Sequence, residues 1–245
     1  MRIAVLADIH GNLPALEAVV RDFSRRGVDA VVNLGDSVSG PLLALETARF
    51  LMEQDWTHIA GNHERQLLTQ GPGQWCPSDG FAHAQLTPPE LDWLASLKPS
   101  ARFSPEVVLC HGTPTSDSEY FLETVEPTRV RAATLAEVDE RLGTVDASLI
   151  ACGHTHTPRI VRASTGQFII NPGSVGLQAY DDVLPYPHII ETGSPDARYA
   201  IAERLVEGWV IDLIAVPYPF EAMARLAEKR QRPDWARALA TGFMP

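Results

Sequence analysis

Short apolar runs that end in Asp, Asn or His recur five times along the chain. They are Val5-Leu-Ala-Asp-Ile-His10, Val31-Val-Asn-Leu-Gly-Asp36, His58-Ile-Ala-Gly-Asn-His63, Val107-Val-Leu-Cys-His111 and Ile150-Ala-Cys-Gly-His-Thr-His156. Each run has the length of a buried strand. Residues 2–7 predict the first strand. Leu13, Leu16, Val19, Val20 and Phe23 then recur at helical spacing, with Pro14 in the first turn and Gly27 as the stop. A strand over 29–34, a helix from 41 or 42 to 54 and a strand over 56–60 follow. This β-α-β order favours neighbouring parallel strands.

The middle of the chain changes character. Gly71-Pro72-Gly73 and Pro77-Ser78-Asp79-Gly80 are loop-like, and Thr87-Pro88-Pro89-Glu90 is a capping box that starts a short helix to Leu97. Residues 64–100 are expected to form an insertion over the strand ends. Residues 113–145 are expected to form a second, with a helix inside 127–142. Strands are predicted over 102–104, 107–110 and 145–152. A hairpin over 159–163 and 167–170 turns at Ser164-Thr165-Gly166 and leads into the compact turn Asn171-Pro172-Gly173-Ser174-Val175-Gly176. The extension 177–245 predicts strands over 188–192, 199–205 and 209–216 and helices over 220–230 and 233–240. It is expected to lengthen and cover the second of two sheets, within one domain spanning 1–245.

Composition narrows the class. The chain has 245 residues, 45% of them apolar and 21% charged, which suits a soluble globular domain with a sizeable core. It has no apolar run of membrane-spanning length and no signal-peptide pattern. The three scattered cysteines form no disulfide framework, so a reducing cytoplasm is the expected setting. A formal net charge of −11 argues against nonspecific binding to nucleic acid or an anionic membrane.

Taken singly, a His after a strand or a Gly-Asp in a turn is an ordinary structural feature. Together, five segments supply complementary ligands. The ordered set is Asp8-x-His10, Gly35-Asp36, Gly61-Asn62-His63-Glu64, His111 and Gly153-His154-x-His156. It resembles the calcineurin-like metallophosphoesterase superfamily, whose pattern is D-x-H, GD, GNH[D/E], H and GHxH. The resemblance spans roughly residues 1–176. Within it, the close spacing and the 171–176 turn resemble the small bacterial, YfcE-like phosphodiesterase branch. Ser37-Val38-Ser39-Gly40 after Gly35-Asp36 lacks the arginine expected of the protein serine/threonine phosphatase branch.

The resemblance implies an α/β, four-layer fold: a two-sheet β-sandwich flanked by helices. It also implies a dinuclear metal centre. Asp8, His10 and His156 would hold one divalent ion, and Asn62, His111 and His154 the other, with Asp36 bridging. Manganese is the first expectation, and iron, zinc, nickel and cobalt also suit these donors. Two ions about 3.5–4 Å apart can clamp both sides of an in-line displacement and deliver a bridging hydroxide. His63 would be catalytic, facing the substrate beside Asn62 to stabilise phosphoryl oxygens or protonate the leaving alkoxide. Asn12 is a further candidate substrate contact. The expected substrate is a small phosphodiester. The alternatives are a phosphomonoester or nucleotide, or a non-catalytic protein-binding scaffold on the same fold. A scaffold is disfavoured by the complete ligand set, and a nuclease by the acidic balance.

The remaining candidates have structural readings. Glu64 is expected to make a supporting hydrogen bond or helix cap. His58, His83 and His188 have no ligand spacing, and Cys110 and Cys152 read as buried packing. Trp75, Phe81, Tyr120, Phe121, Arg129 and Arg131 of the inserts read as packing or solvated surface.

Overall fold

The computed structural model describes residues 1–245. Its amino-terminal third consists of β1 (Arg2–Leu6), α1 (Leu13–Arg26), β2 (Ala30–Asn33), α2 (Ala44–Met52) and β3 (Thr57–His58). β1 pairs with β2 and β2 with β3, all in parallel. Next come α3 (Asn62–Thr69), α4 (Pro77–His83) and α5 (Pro88–Ser96). The Thr87–Glu90 capping box opens α5 as its sequence predicts. Pro77-Ser78-Asp79-Gly80 is helical rather than loop. It is the first turn of α4, capped by the Cys76 sulfur, which accepts the Asp79 N–H.

The chain continues through β4 (Ser100–Ser104), β5 (Val107–Cys110), β6 (Glu123–Glu126), β7 (Arg129–Ala132), α6 (Leu135–Leu142), β8 (Leu149–Ala151), β9 (Arg159–Arg162) and β10 (Phe168–Asn171). It ends in β11 (Ala179–Asp182), β12 (His188–Glu191), β13 (Ala197–Arg204), β14 (Trp209–Val216), α7 (Phe220–Lys229) and α8 (Pro233–Thr241). No helix is long and apolar enough to cross a membrane.

Two five-stranded sheets result, ordered β14-β13-β1-β2-β3 and β4-β5-β8-β10-β9. Alternation along each strand decides the layers, because successive side chains point to opposite faces. Ile3, Val5 and Ala7 meet Val107, Leu109, Leu149 and Ala151 between the sheets. Ala4 and Leu6 face the other way, onto Leu16, Val19 and Phe23 of α1. On the far side, Cys110, Ile150, Cys152 and Ile169 pack against Val138 and Leu142 of α6. The order is helix, sheet, sheet, helix, the four-layer α/β arrangement that the resemblance implies. Burying each large aliphatic side chain contributes roughly 1.5–3 kcal/mol. Sliding one sheet past the other would forfeit several such terms, so the strand ends are held in fixed relation.

The tail departs from expectation. β13 and β14 pair antiparallel, but they extend the first sheet through β1 rather than the second. The reason is the fit of their faces: Ala200 and Ala202 join the inter-sheet layer while Tyr199 and Ile201 cover α1. β12 pairs with β11 in a separate two-stranded sheet. α7 and α8 pack Met223, Trp235 and Leu239 onto Leu42, Leu177 and Ala179.

Candidate metal centre

β1, β2, β5 and β8 are mutually parallel within their sheets, so their carboxyl ends lie on common edges. The loops leaving those ends carry Asp8, His10, Asp36, His111, His154 and His156. The chain bends sharply there. Six residues other than glycine have left-handed φ, and five of them are Asp8 (+57°), His10 (+51°), Asp36 (+53°), His154 (+69°) and His156 (+54°). Such backbone costs roughly 1–3 kcal/mol per residue and persists only where the surroundings impose it. Here they do. The 171–176 turn wraps the Asp8 loop: the Val175 N–H donates to Ala7 O at 3.0 Å and the Gly176 N–H to Asp8 O at 3.0 Å. The Ser174 hydroxyl donates to Asp8 O at 2.7 Å. Glu64, fully buried in α3, accepts the backbone N–H groups of Asp36, Ser37 and Gly61 at 2.7–2.8 Å. This is the supporting role expected of Glu64.

The histidines have their tautomers set by the backbone. Nδ1 of His10 donates to Ser39 O at 2.8 Å, that of His111 to Leu34 O at 2.7 Å and that of His156 to Leu177 O at 2.7 Å. In all three, Nε2 is left for the site. His154 is reversed: its Nε2 reaches Ser118 O at 3.1 Å, which frees Nδ1. Burial keeps His10 down at about 4 and His154 at about 3, and holds His156 well below the usual imidazole range. His10 and His156 are therefore neutral at pH 7, yet their Nε2 atoms face each other at 3.1 Å. Two lone pairs at that separation call for a cation between them.

The carboxylates pose the complementary problem. Burial and then, among the effects of neighbours, the Asp36 charge push Asp8 up to about 8, with His111 opposing. Asp36 is equally buried, but His111 and His63 hold its carboxyl well below the usual range. Burial disfavours the charge of His111, but Asp36 outweighs it and raises this ring to about 9. His111 Nε2 then donates to Asn62 Oδ1 at 3.0 Å and Asp36 Oδ2 at 3.1 Å. Three ligand atoms thus converge in a position that a metal cation would suit. Asp8, His10 and His156 form one group whose ligand atoms lie within 4.8 Å of one another, and Asp36, His111 and His154 form a second. Borderline divalent ions favour this mixture of imidazole and oxygen donors, so the residues fit the implied dinuclear centre.

A calcineurin-like phosphoesterase superfamily domain matches residues 1–187. The chain belongs to that superfamily. A Methanocaldococcus jannaschii protein, MJ0912, is 24% identical over 95% of this chain and 94% of its own length. A metallophosphoesterase from Sphaerobacter thermophilus superposes with a TM-score of 0.77, at 24% identity, covering 99% of this chain and 100% of that one. The hypothetical protein PH1004 from Pyrococcus horikoshii superposes with a TM-score of 0.75 at 16% identity, covering 100% and 99%. These likenesses show the fold over the whole length.

Around this phosphoesterase centre the structure brings together seven of the nine residues proposed from sequence as ligands or substrate contacts: Asp8, His10, Asp36, Asn62, His111, His154 and His156. His63 stands beside them, with ring centroids 5.6 Å apart from His10. Asn12 requires correction. It is fully buried, its amide donates to Gly176 O and the Tyr218 hydroxyl, and its Oδ1 accepts the Ala15 N–H as the cap of α1. Its polar atoms are committed to shaping the loop, and none is left for a phosphate.

Asp79 is the residue that sequence reasoning missed. It is completely buried, and its Oδ1 accepts from His63 Nδ1 at 2.8 Å and the Ser39 hydroxyl at 2.7 Å. Burial opposes charge on His63, but Asp36 and the hydrogen bond to Asp79 outweigh it and raise the ring well above its usual range. The signal available was Pro77 followed by Asp79, a helix-start pattern. A cavity of about 860 Å³ opens from His10, Asn62, His63, His154 and His156 toward Tyr120, Tyr180, Arg232 and Trp235. Of the six insert residues read as packing or surface, Tyr120 alone lines it. His188 accepts or donates at 2.9 Å to the Tyr120 hydroxyl, consistent with a supporting position.

Proposed function

We propose that this phosphoesterase hydrolyses small phosphodiesters with two divalent ions, manganese first among them. Asp8, His10 and His156 would hold one ion, Asn62, His111 and His154 the other, with Asp36 between. Bound there, the ions would supply Lewis acidity toward phosphoryl oxygens and make water acidic enough to serve near neutral pH. The chain's own contribution is orientation and a proton. Asp79 holds His63 Nδ1, so Nε2 is the nitrogen presented to the cavity. A protonated His63 can give its proton to the leaving alkoxide, the step a poorly departing diester arm requires. The His63–Asp79 pair beside the two ligand groups is the observation that carries this reading.

The cavity also favours a single phosphate. Arg232 is engaged by Asp234 at 2.6 Å and Ser78 at 3.1 Å. Arg141 is engaged by Phe121 O, Glu123 O and the Thr124 hydroxyl. No lining arginine is free to clamp a second phosphate, which weighs against nucleoside polyphosphates. The inserts act as a partial lid within a single domain: 64–100 supplies Cys76 and Ser78, and 113–145 supplies Tyr120 and Glu123. The test is hydrolysis of paired mono- and diesters by metal-stripped protein refilled with Mn²⁺, with Asp36→Asn and His63→Ala alongside. Diester turnover that needs metal and falls in both variants is expected. Full turnover by Asp36→Asn, with its metal content measured, would overturn the assignment.

A further inference from the structure

A third set of metal-binding atoms lies beside the dinuclear centre. His63, Cys76 and Asp79 each offer one ligand atom, and all three atoms lie within 4.8 Å of one another. His63 Nδ1 and Asp79 Oδ1 are 2.8 Å apart, and Cys76 Sγ and Asp79 Oδ2 are 3.2 Å apart. Cys76 is exposed and lines the cavity, so an ion entering with solvent reaches the sulfur first. The other two cysteines are buried.

We propose that His63, Cys76 and Asp79 form an inhibitory site for a thiophilic divalent cation, with Zn²⁺ as the best fit. Tetrahedral zinc has bonds of about 2.0–2.2 Å to nitrogen and oxygen and about 2.3 Å to sulfur, which puts its ligand atoms about 3.4–3.6 Å apart. His63 Nδ1 and Cys76 Sγ each already lie against one oxygen of the Asp79 carboxylate, so rotation of these side chains can bring the three groups to that spacing. Three protein ligands leave a fourth position for water. The donor set also sorts ions. The dinuclear centre offers imidazole and oxygen only, whereas a thiolate selects zinc over manganese or magnesium.

An ion held by His63 Nδ1, Cys76 Sγ and Asp79 takes the place of the His63–Asp79 hydrogen bond. The ring and the carboxylate are both drawn onto the ion, and Nε2 is no longer presented to the leaving alkoxide as a proton donor. The leaving alkoxide then lacks its acid, and hydrolysis stops while the dinuclear centre stays filled. The inhibitory effect rests on the phosphodiesterase reading; the binding site does not.

The test uses the full chain, loaded with Mn²⁺, and its Cys76→Ser variant. Serine keeps the helix cap and a hydrogen bond to Asp79 but removes the thiolate. Co²⁺ is titrated first as a probe. A thiolate-to-cobalt charge-transfer band is expected in the parent and absent from Cys76→Ser. Zn²⁺ is then titrated against diester hydrolysis, each protein normalised to its own uninhibited rate. Loss of even an outer partner costs 10–100-fold in metal affinity, so the half-inhibitory Zn²⁺ concentration should rise at least about tenfold in Cys76→Ser. Alkylating Cys76, the exposed thiol, repeats both comparisons without a substitution. Equal zinc inhibition in both proteins with no cysteine-dependent band would overturn the site. A band without any ester hydrolysis would support the site and sink the hydrolase reading instead.

Discussion

Gly176→Ala should cripple the centre although Gly176 holds no ligand. A Cβ added there would lie 1.8 Å from Ile9 O, 2.6 Å from Ile9 C and 2.9 Å from Asn12 Cβ. These are mostly backbone atoms, and Ile9 is the residue between Asp8 and His10. To restore a 3.0 Å separation the carbonyl would have to retreat by about 1.2 Å, carrying both candidate ligands with it. A displacement of about 1 Å can cost about 100-fold in rate, so a loss at least that large is expected. Overpacking of this kind costs about 1–3 kcal/mol. At about 2–4 °C per kcal/mol for a chain of this size, Tm should fall by about 2–12 °C. Gly80→Ala is the control, because its Cβ meets nothing within 4 Å. Metal content by elemental analysis, diester turnover and calorimetric Tm would be measured on both. Wild-type turnover and Tm in Gly176→Ala would refute the close-approach argument.

Three other perturbations separate charge, capping and metal. Asp79→Asn should lower kcat by about 100-fold for an alkyl leaving group and much less for nitrophenolate, which departs without a proton; equal losses in a steady-state comparison would mean that Asp79 acts only on shape. Glu90, bonded to Thr87 and to Arg49 Nε at 2.9 Å, has its pKa lowered from 4.5 to about 2. A depressed folded pKa stabilises above pH 4.5 and loses that contribution as pH falls toward 2, so Glu90→Gln should be less stable at neutral pH and converge on the parent in acid, as read by denaturant titration. Chelation should abolish turnover and lower Tm, and refilling to about 100 times Kd should restore about 2.7 kcal/mol per independent site; a Tm indifferent to chelator would count against bound ions.

The convergence of the candidate ligands was legible because its logic is local. A buried apolar run ending in a polar residue marks a strand whose carboxyl end faces a site, and parallel pairing gathers such ends on one edge. Asp79 was not legible, since its partner His63 lies in a different helix and Pro-Ser-Asp-Gly reads equally as a turn. The strands β6, β7 and β11 escaped because sequences such as Glu-Thr-Val-Glu and Ala-Tyr-Asp-Asp lack a sustained apolar face, whereas β12 was expected over 188–192 without its partner. Their positions come from tertiary contacts such as the Tyr120–Tyr180 hydroxyl pair at 2.6 Å. The placement of β13 beside β1 likewise depends on which sheet its alanines fit, a choice that alternation within β13 does not express.

The left-handed backbone at Asp8, His10, Asp36, His154 and His156 has a mechanical consequence. Those loops behave like bent springs clamped at both ends by the sheets and by the 171–176 turn. A clamp that loosens slightly lets the springs relax long before the sheets come apart, because local openings need far less free energy than global unfolding. On gradual heating or in mild denaturant, the ions should therefore be lost while the circular dichroism of both sheets is still intact.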